Sequence, residues 1–256
     1  MKPKIIHCCW FGRKEMPELE KKCVESWKRC LPNYQFVFWN EDTFDINQSV
    51  FCRQAYEKGM LAFVSDYVRA YALFTQGGTY FDTDEEVLPG IAEVLEGDEN
   101  VVGFLSSKCF IGAGVMSFGK GHPIMKKLLD SYSEQFVDSN GVLRLETNVS
   151  ILTKFMKDIG LVQNKKKQRV EDILVLPREV FYPKKHGDTF LITDETVAIH
   201  HGSGSWLTER QKKRGDNLFW RKVCRPVLCW IKSVITFTLG EKLTRRIEMK
   251  VRNILR

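Results

Sequence analysis

Asp82 and Asp84 stand one residue apart in "GGTYFDTDEEVLPG" (77–90), immediately after the β-prone run "TYF". Side chains alternate across an extended segment, so the two carboxylates are expected to share a face while Thr83 points away. Two carboxylates converging at the carboxyl end of a strand occupy the crevice in which open α/β sheets bind ligands. Their hard oxygens suit Mg²⁺ or Mn²⁺, which water and substrate phosphates usually complete. A charged turn closing on "LPG" is the plain alternative, and a D-x-D triplet alone does not choose between them. Glu85 and Glu86 are expected to be outer partners of such a site or solvated charges.

The elements that must position these acids alternate between extended and helical patterns, the signature of a three-layer α/β domain. "KIIHCCW" reads as a first strand, 17–30 as a helix and "YQFVFWN" as the next strand, a βαβ unit. From Leu61 to Thr75 the residues Val64, Tyr67, Val68 and Tyr71 recur at helical spacing, and Gly77-Gly78 end the helix. Asp66 and Arg69 fall on the opposite face with Ala62, Ala70 and Leu73, so that face is not an ordinary solvated one. Later strands are expected at "VVGFL", "CFIGAGVMSFG", "DILVLP" and "TVAIHH", with helices from His122-Pro123 and over 147–159, and a basic loop at 165–169.

With 256 residues and 43% hydrophobic content, the chain can fill a sizeable core. Its start is interrupted by His7 and lacks the apolar run of a secretory signal. Eight scattered cysteines without a C-x-x-C are expected to be reduced thiols in the cytosol. The net charge of +7 is local: residues 207–256 carry 14 Lys and Arg against 4 Asp and Glu, leaving 25 against 28 for residues 1–206. Basicity therefore belongs to the tail, and nucleic acid is not an expected partner.

Three ordered blocks, "KIIHCCWFG" (4–12), "FVSDYVRAYALFTQGGTYFDTDEEVLPG" (63–90) and "IHHGSGSW" (199–206), together resemble glycosyltransferase family 32, the family with the D-x-D sugar-binding region. They are also similar to the catalytic domains of the large clostridial glucosylating toxins. The resemblance spans residues 3 to 206. It implies a GT-A fold, a Rossmann-like nucleotide-sugar-binding α/β domain over 1–206, with a C-terminal helical basic extension over 207–256. It also implies transfer of a hexose or N-acetylhexosamine from a nucleotide sugar, with a UDP-sugar favoured, and retention at the anomeric carbon. The acceptor would be a glycan or lipid-linked oligosaccharide in surface polysaccharide synthesis.

By the same resemblance Asp84 binds the metal directly and Asp82 bridges metal and donor. Tyr80 lies against the donor, Asp66 and Arg69 hold its sugar hydroxyls and nucleotide, and Trp10 stacks on the base. Ser205 and Trp206 form a segment closing over the diphosphate, with Gly202 and Gly204 as hinges. His200 fits a third metal ligand, since imidazole beside carboxylates favours Mn²⁺ over Ca²⁺. Its neighbour His201 is the less suited, because only one of two adjacent strand residues faces the site. The chain departs from the family at Cys8 and Cys9, where an aromatic is common, so contacts from that strand are expected through backbone. Asn148 would either line the acceptor side or, with Thr147, cap a helix.

Two rival functions share parts of this pattern. A D-x-D phosphohydrolase carries its motif near the N-terminus followed by a small pair, and "DTDEEV" has neither feature. A non-catalytic, membrane-associated carbohydrate-binding module would not need Asp82, Asp84, Arg69 and Trp206 together. Beyond Pro226 the residues Val227, Leu228, Ile231, Val234 and Ile235 follow helical spacing, in a stretch too short and polar to span a bilayer. A basic amphipathic helix of this kind is expected either to lie on an anionic membrane, placing a cytoplasmic enzyme on the inner face, or to pack on the domain.

Overall fold

The computed structural model describes residues 2–97, 99–106, 108–139, 141–187 and 189–204, and positions 217, 227, 228, 231, 233–236, 238, 240 and 244 of the tail. The chain divides into two compact units. The first comprises Met1–Phe136 and Leu145–Ser203, and the second Val137–Arg144 and Gly204–Arg256. In the second unit Val137 and Leu143 form an antiparallel bridge. All described tail positions from 227 on are helical, and Val227, Leu228, Ile231 and Val234 are exposed.

The first unit is the expected α/β domain. Its strands are β1 (Ile5–Cys9), β2 (Gln35–Trp39), β3 (Gly78–Phe81), β4 (Glu85–Val87), β5 (Asn100–Phe104), β6 (Ile111–Phe118), β7 (Gln168–Val170), β8 (Ile173–Leu176), β9 (Lys185–His186), β10 (Thr189–Phe190) and β11 (Ala198–His200). Its helices are α1 (Glu18–Cys30), α2 (Val50–Glu57), α3 (Leu61–Thr75), α4 (Ile91–Leu95), α5 (Pro123–Asp130), α6 (Asn148–Asp158) and α7 (Arg178–Phe181). Seven strands form the main sheet in the order β2-β1-β3-β6-β5-β8-β7. β2, β1, β3, β5 and β8 run one way, and β6 and β7 run against them. Most of the "basic loop" is a loop as expected, but its end enters β7, which adds an edge strand.

The inner strands read as near-continuous apolar runs because both of their faces are covered. Every residue of β3, β5 and β6 is buried. Trp27 of α1, fully buried, packs on Phe81 with ring centroids 5.4 Å apart. Helix α3 is buried on nearly all sides, with Val64, Val68, Arg69, Ala70, Ala72 and Leu73 inside. Its stripe of Tyr67 and Tyr71 meets Phe44 and Trp39, so Asp66 and Arg69 on the opposite side look inward.

The chain runs from β1 outward to β2, then returns through α3 to place β3 on the other side of β1. That reversal opens a crevice at the carboxyl ends of β1 and β3, where open α/β sheets take ligands. Two glycines allow the return. Gly77 (φ +72°) donates its N–H to Leu73 O at 3.0 Å and closes α3 in the left-handed conformation. Gly78 (φ +101°) lies so close to β1 that a Cβ would sit 2.6 Å from the Ile5 carbonyl oxygen. Gly78→Ala is therefore expected to cost about 2 kcal/mol or more, from strain and a backbone clash together. Urea denaturation measures this, and an unchanged midpoint would contradict the close β1–β3 seam.

Candidate active site

Asp82 is the last residue on the line of β3, with its N–H on Gly114 O of β6 at 2.8 Å. Its own carbonyl accepts the Glu85 N–H at 3.0 Å, so Asp82 to Glu85 form a tight turn rather than the extended segment expected. The reason lies downstream: β4 leaves the main sheet to pair with β11, and the chain must change direction within the motif. The turn, not strand alternation, brings Asp82 and Asp84 to one spot. There they meet His200, and ligand atoms of the three residues lie within 4.8 Å of one another.

Each aspartate has one oxygen held by the protein. Asp82 Oδ1 accepts from Arg69 Nη2 at 3.0 Å and from the Tyr80 hydroxyl at 3.0 Å. Asp84 Oδ2 accepts the Ser203 N–H at 2.8 Å, while its Oδ1 lies 3.5 Å from His200 Nδ1. Oδ2 of the first and Oδ1 of the second are thereby left for a ligand.

Arg69 organises the neighbouring acids. It is 7% exposed and stacks over the Tyr80 ring, its guanidinium carbon 4.5 Å from the centroid. Nη1 donates to Ala113 O at 2.8 Å, and Nη2 reaches both Asp82 and Asp66, the latter at 3.3 Å. Asp66 also accepts the Asn148 N–H at 3.3 Å, and the Asn148 amide donates to Asp66 O at 3.0 Å. Asp66 thus sits at the start of α6, where backbone N–H groups favour an anion. Burial lifts its carboxyl to about 6, against the pull of Arg69 and of the Asn148 N–H.

His200 lies opposite Glu85 in the β11–β4 register. Its Nδ1 is 3.0 Å from Glu85 Oε1, an ion-pair distance without hydrogen-bond alignment, so Nδ1 and both Glu85 oxygens lack a hydrogen-bond partner. Glu85 is 0% exposed, which removes it from the solvated charges. Burial lifts Glu85 to about 7. Burial pulls His200 down, but Glu85, Asp84 and Asp82 outweigh it and hold the imidazole at about 10. Both shifts express an excess of negative charge that retains a proton. His201 turns away and pairs with Glu86 at 2.9 Å.

These residues fit a divalent cation. The donor set is two carboxylates and an imidazole, the chemistry of Mn²⁺ or Mg²⁺ sites. The acids crowd one place around the imidazole, where a cation would offset their charge. Gly114 makes the room, since a Cβ there would land on Glu85 Oε1 and 3.1 Å from Asp82 Oδ2.

Trp10 follows β1 at the same sheet edge as Asp82 and is half-buried. Its indole N–H donates to Lys14 O at 2.6 Å, leaving the ring for stacking. Tyr80, expected against a donor, is 1% exposed; its ring lies beneath Arg69 and only its hydroxyl, on Asp82, serves the site. Cys9 is also nearer than expected: its buried thiol lies against Tyr80, and burial, with Asp82 and Asp66 nearby, raises it despite Arg69. Cys8, 9, 23, 30, 52 and 109 are free thiols. Thr147 makes no side-chain cap on α6. Ser205 and Trp206 lie outside the described residues.

Sequence reading missed Gly114 and Ser203 as parts of the site, whereas Glu85, expected as an outer partner or a solvated charge, is buried beside His200. Gly114 had a signal, since a glycine inside a strand pattern marks close approach of another group. Ser203 joins the segment after β11 to the centre, its hydroxyl on Glu20 at 2.7 Å and its N–H on Asp84.

Residues 17–101 match the family model described as "Glycosyltransferase sugar-binding region containing DXD motif". That span runs from α1 into β5 and includes Asp66, Arg69, Tyr80, Asp82 and Asp84. No curated protein matches the chain. Among solved structures, the PaToxG glycosyltransferase is 19% identical, with 61% of this chain and 69% of that one covered at a TM-score of 0.46. The galactosyltransferase LgtC, in complex with donor and acceptor sugar analogues, is 11% identical, with 78% and 87% covered at a TM-score of 0.44. Over residues 17–101, this chain is therefore similar to the DXD-containing sugar-binding region of glycosyltransferases.

Proposed function

We propose that the protein is a metal-dependent, retaining glycosyltransferase with a GT-A type of architecture. It moves a hexose or N-acetylhexosamine from a nucleotide sugar, with UDP favoured, to a glycan or lipid-linked acceptor in surface polysaccharide synthesis. The observation that carries this is the gathering of Asp82, Asp84 and His200 at the β1–β3 switch point, with the two aspartates inside the segment 17–101 that is similar to a DXD region. A Mn²⁺ or Mg²⁺ ion held by Asp82 Oδ2, Asp84 Oδ1 and His200 would supply positive charge against the leaving diphosphate.

The remaining chemistry belongs to side chains. Trp10, beside the crevice, offers its ring to the base. Asp66, partly exposed at its carboxylate (13%), is placed to accept from sugar hydroxyls. Arg69 pairs with Asp66 and Asp82 and holds them in place, so its charge acts on the donor through them. Every acid of the cluster is already engaged, Asp66 and Asp82 with Arg69, Asp84 with Ser203, and Glu85 buried behind His200. The family resemblance favours attack by the acceptor hydroxyl on the face the diphosphate leaves, with its proton passing out with the leaving group. Ser205 and Trp206, which by resemblance would shield the donor from water, lie outside the described residues.

The tail is proposed to rest on an anionic membrane. Support comes from its 14 basic residues and the exposed Val227, Leu228, Ile231 and Val234. Among the described residues no helix is long and apolar enough to cross a membrane.

A thermal-shift screen of nucleoside diphosphates and nucleotide sugars, with and without Mn²⁺, tests the site. Stabilisation is expected only when nucleotide and metal are both present, and no shift in any combination would contradict the proposal.

A further inference from the structure

Glu85 is the least explained residue of the centre. A fully buried carboxylate with neither oxygen hydrogen-bonded is costly, and an apolar side chain of the same volume would cost less. Yet the fold is built to keep it. Trp27 donates its indole N–H to Glu85 O at 2.6 Å and pins the backbone from the core side. Gly114 leaves the space that the carboxylate fills. The β4–β11 register sets Glu85 directly across from His200, and Tyr182 bounds the imidazole edge-on with ring centroids 6.0 Å apart.

Glu85 is also closer to His200 than any other acid, at 3.0 Å from Nδ1 against 3.5 Å for Asp84. It stands outside the three residues whose ligand atoms converge. A buried carboxylate behind a metal-binding imidazole accepts one ring N–H, which fixes the tautomer and orientation and makes the other nitrogen a better donor. We propose that Glu85 is a positioning residue for the metal site, taking Nδ1–H of His200 and leaving the Nε2 lone pair for the cation. This rests on the metal-dependent reading given above. Nδ1 already lies 3.0 Å from Glu85 Oε1.

The test is Mn²⁺ affinity of the full chain, read from free Mn²⁺ by electron paramagnetic resonance, beside the metal-free melting temperature. Wild type is compared with Glu85→Gln, Glu85→Met and Asp84→Asn. Gln keeps an oxygen that can accept Nδ1–H, so its affinity should stay close to wild type. Met keeps the shape without an acceptor oxygen, and its affinity should fall by about 10- to 100-fold with a melting temperature equal to or above wild type. Wild-type affinity in Glu85→Met would overturn the proposal. So would loss in Glu85→Gln as complete as in Asp84→Asn, because the carboxylate would then be a metal donor itself. Affinity losses that follow falling melting temperatures in both variants would mark a purely structural pair and overturn it too. Absence of Mn²⁺ binding in wild type would overturn the metal-dependent reading along with it, a failure distinct from the other three.

Discussion

Asp84→Asn is expected to lower turnover by about 10²- to 10³-fold while leaving the fold intact, the scale seen when one preorganised electrostatic contact to a transition state is lost. Asparagine is nearly the same size, and its amide oxygen can still accept the Ser203 N–H that Asp84 Oδ2 receives at 2.8 Å. What it loses is the charge that Oδ1 presents toward the spot shared with Asp82 and His200. Mn²⁺ affinity should therefore fall together with turnover. Release of nucleoside diphosphate, Mn²⁺ binding and circular dichroism measure the three quantities. An Asp84→Asn protein with wild-type turnover would remove this residue from the chemistry.

Arg69→Met is expected to be the most destabilising single change at the site. Truncating one partner of a buried charge set typically costs about 3–5 kcal/mol, because the other charges remain buried and unpaired. Here Asp66 and Asp82 both lose their counter-charge, and Ala113 O loses its donor. Adding Asp66→Asn to Arg69→Met should return part of the loss, a coupling that a double-mutant cycle in urea reads directly.

The pH dependence follows from Asp66 and Glu85, whose folded values of about 6 and about 7 lie above the ordinary 3.8 and 4.5. Between those values the folded state binds more protons than the unfolded one, so stability falls as pH rises through the window. In wild type the Asp66 contribution is greatest below pH 4 and gone above pH 6, that of Glu85 extends to about pH 7, and removal of Arg69 should steepen the Asp66 part and carry it to higher pH. A flat profile from pH 4 to 7 in both proteins would contradict the burial of Asp66.

How far the site could be read from sequence depends on the reach of each interaction. Asp66 and Arg69 were legible because three-residue spacing on a helix is local, and the mostly apolar helix announced a buried pair. The first βαβ unit was legible from alternating patterns, and His200 was singled out through the resemblance of the block "IHHGSGSW". The turn at Asp82–Glu85 was not, because its direction is dictated by β11, which joins β4 only in the folded chain. Glu85 was left open between an outer partner and a solvated charge for the same reason: nothing adjacent to it says that Trp27, Gly114 and His200 will enclose it. Tyr80 was placed against the donor by resemblance, whereas its burial follows from a strand covered on both faces. Asn148 was weighed as an acceptor or capping residue, and the structure instead sets it against Asp66 across two helices.

The most direct measurement is release of nucleoside diphosphate from a panel of nucleotide sugars without acceptor, for wild type and Asp84→Asn, in Mn²⁺ and in chelator. Slow cleavage of one donor by wild type in Mn²⁺, lost in chelator and in Asp84→Asn, is the predicted result. Cleavage that is equal in chelator, or equal in Asp84→Asn, would contradict a metal-dependent transferase centred on Asp82, Asp84 and His200.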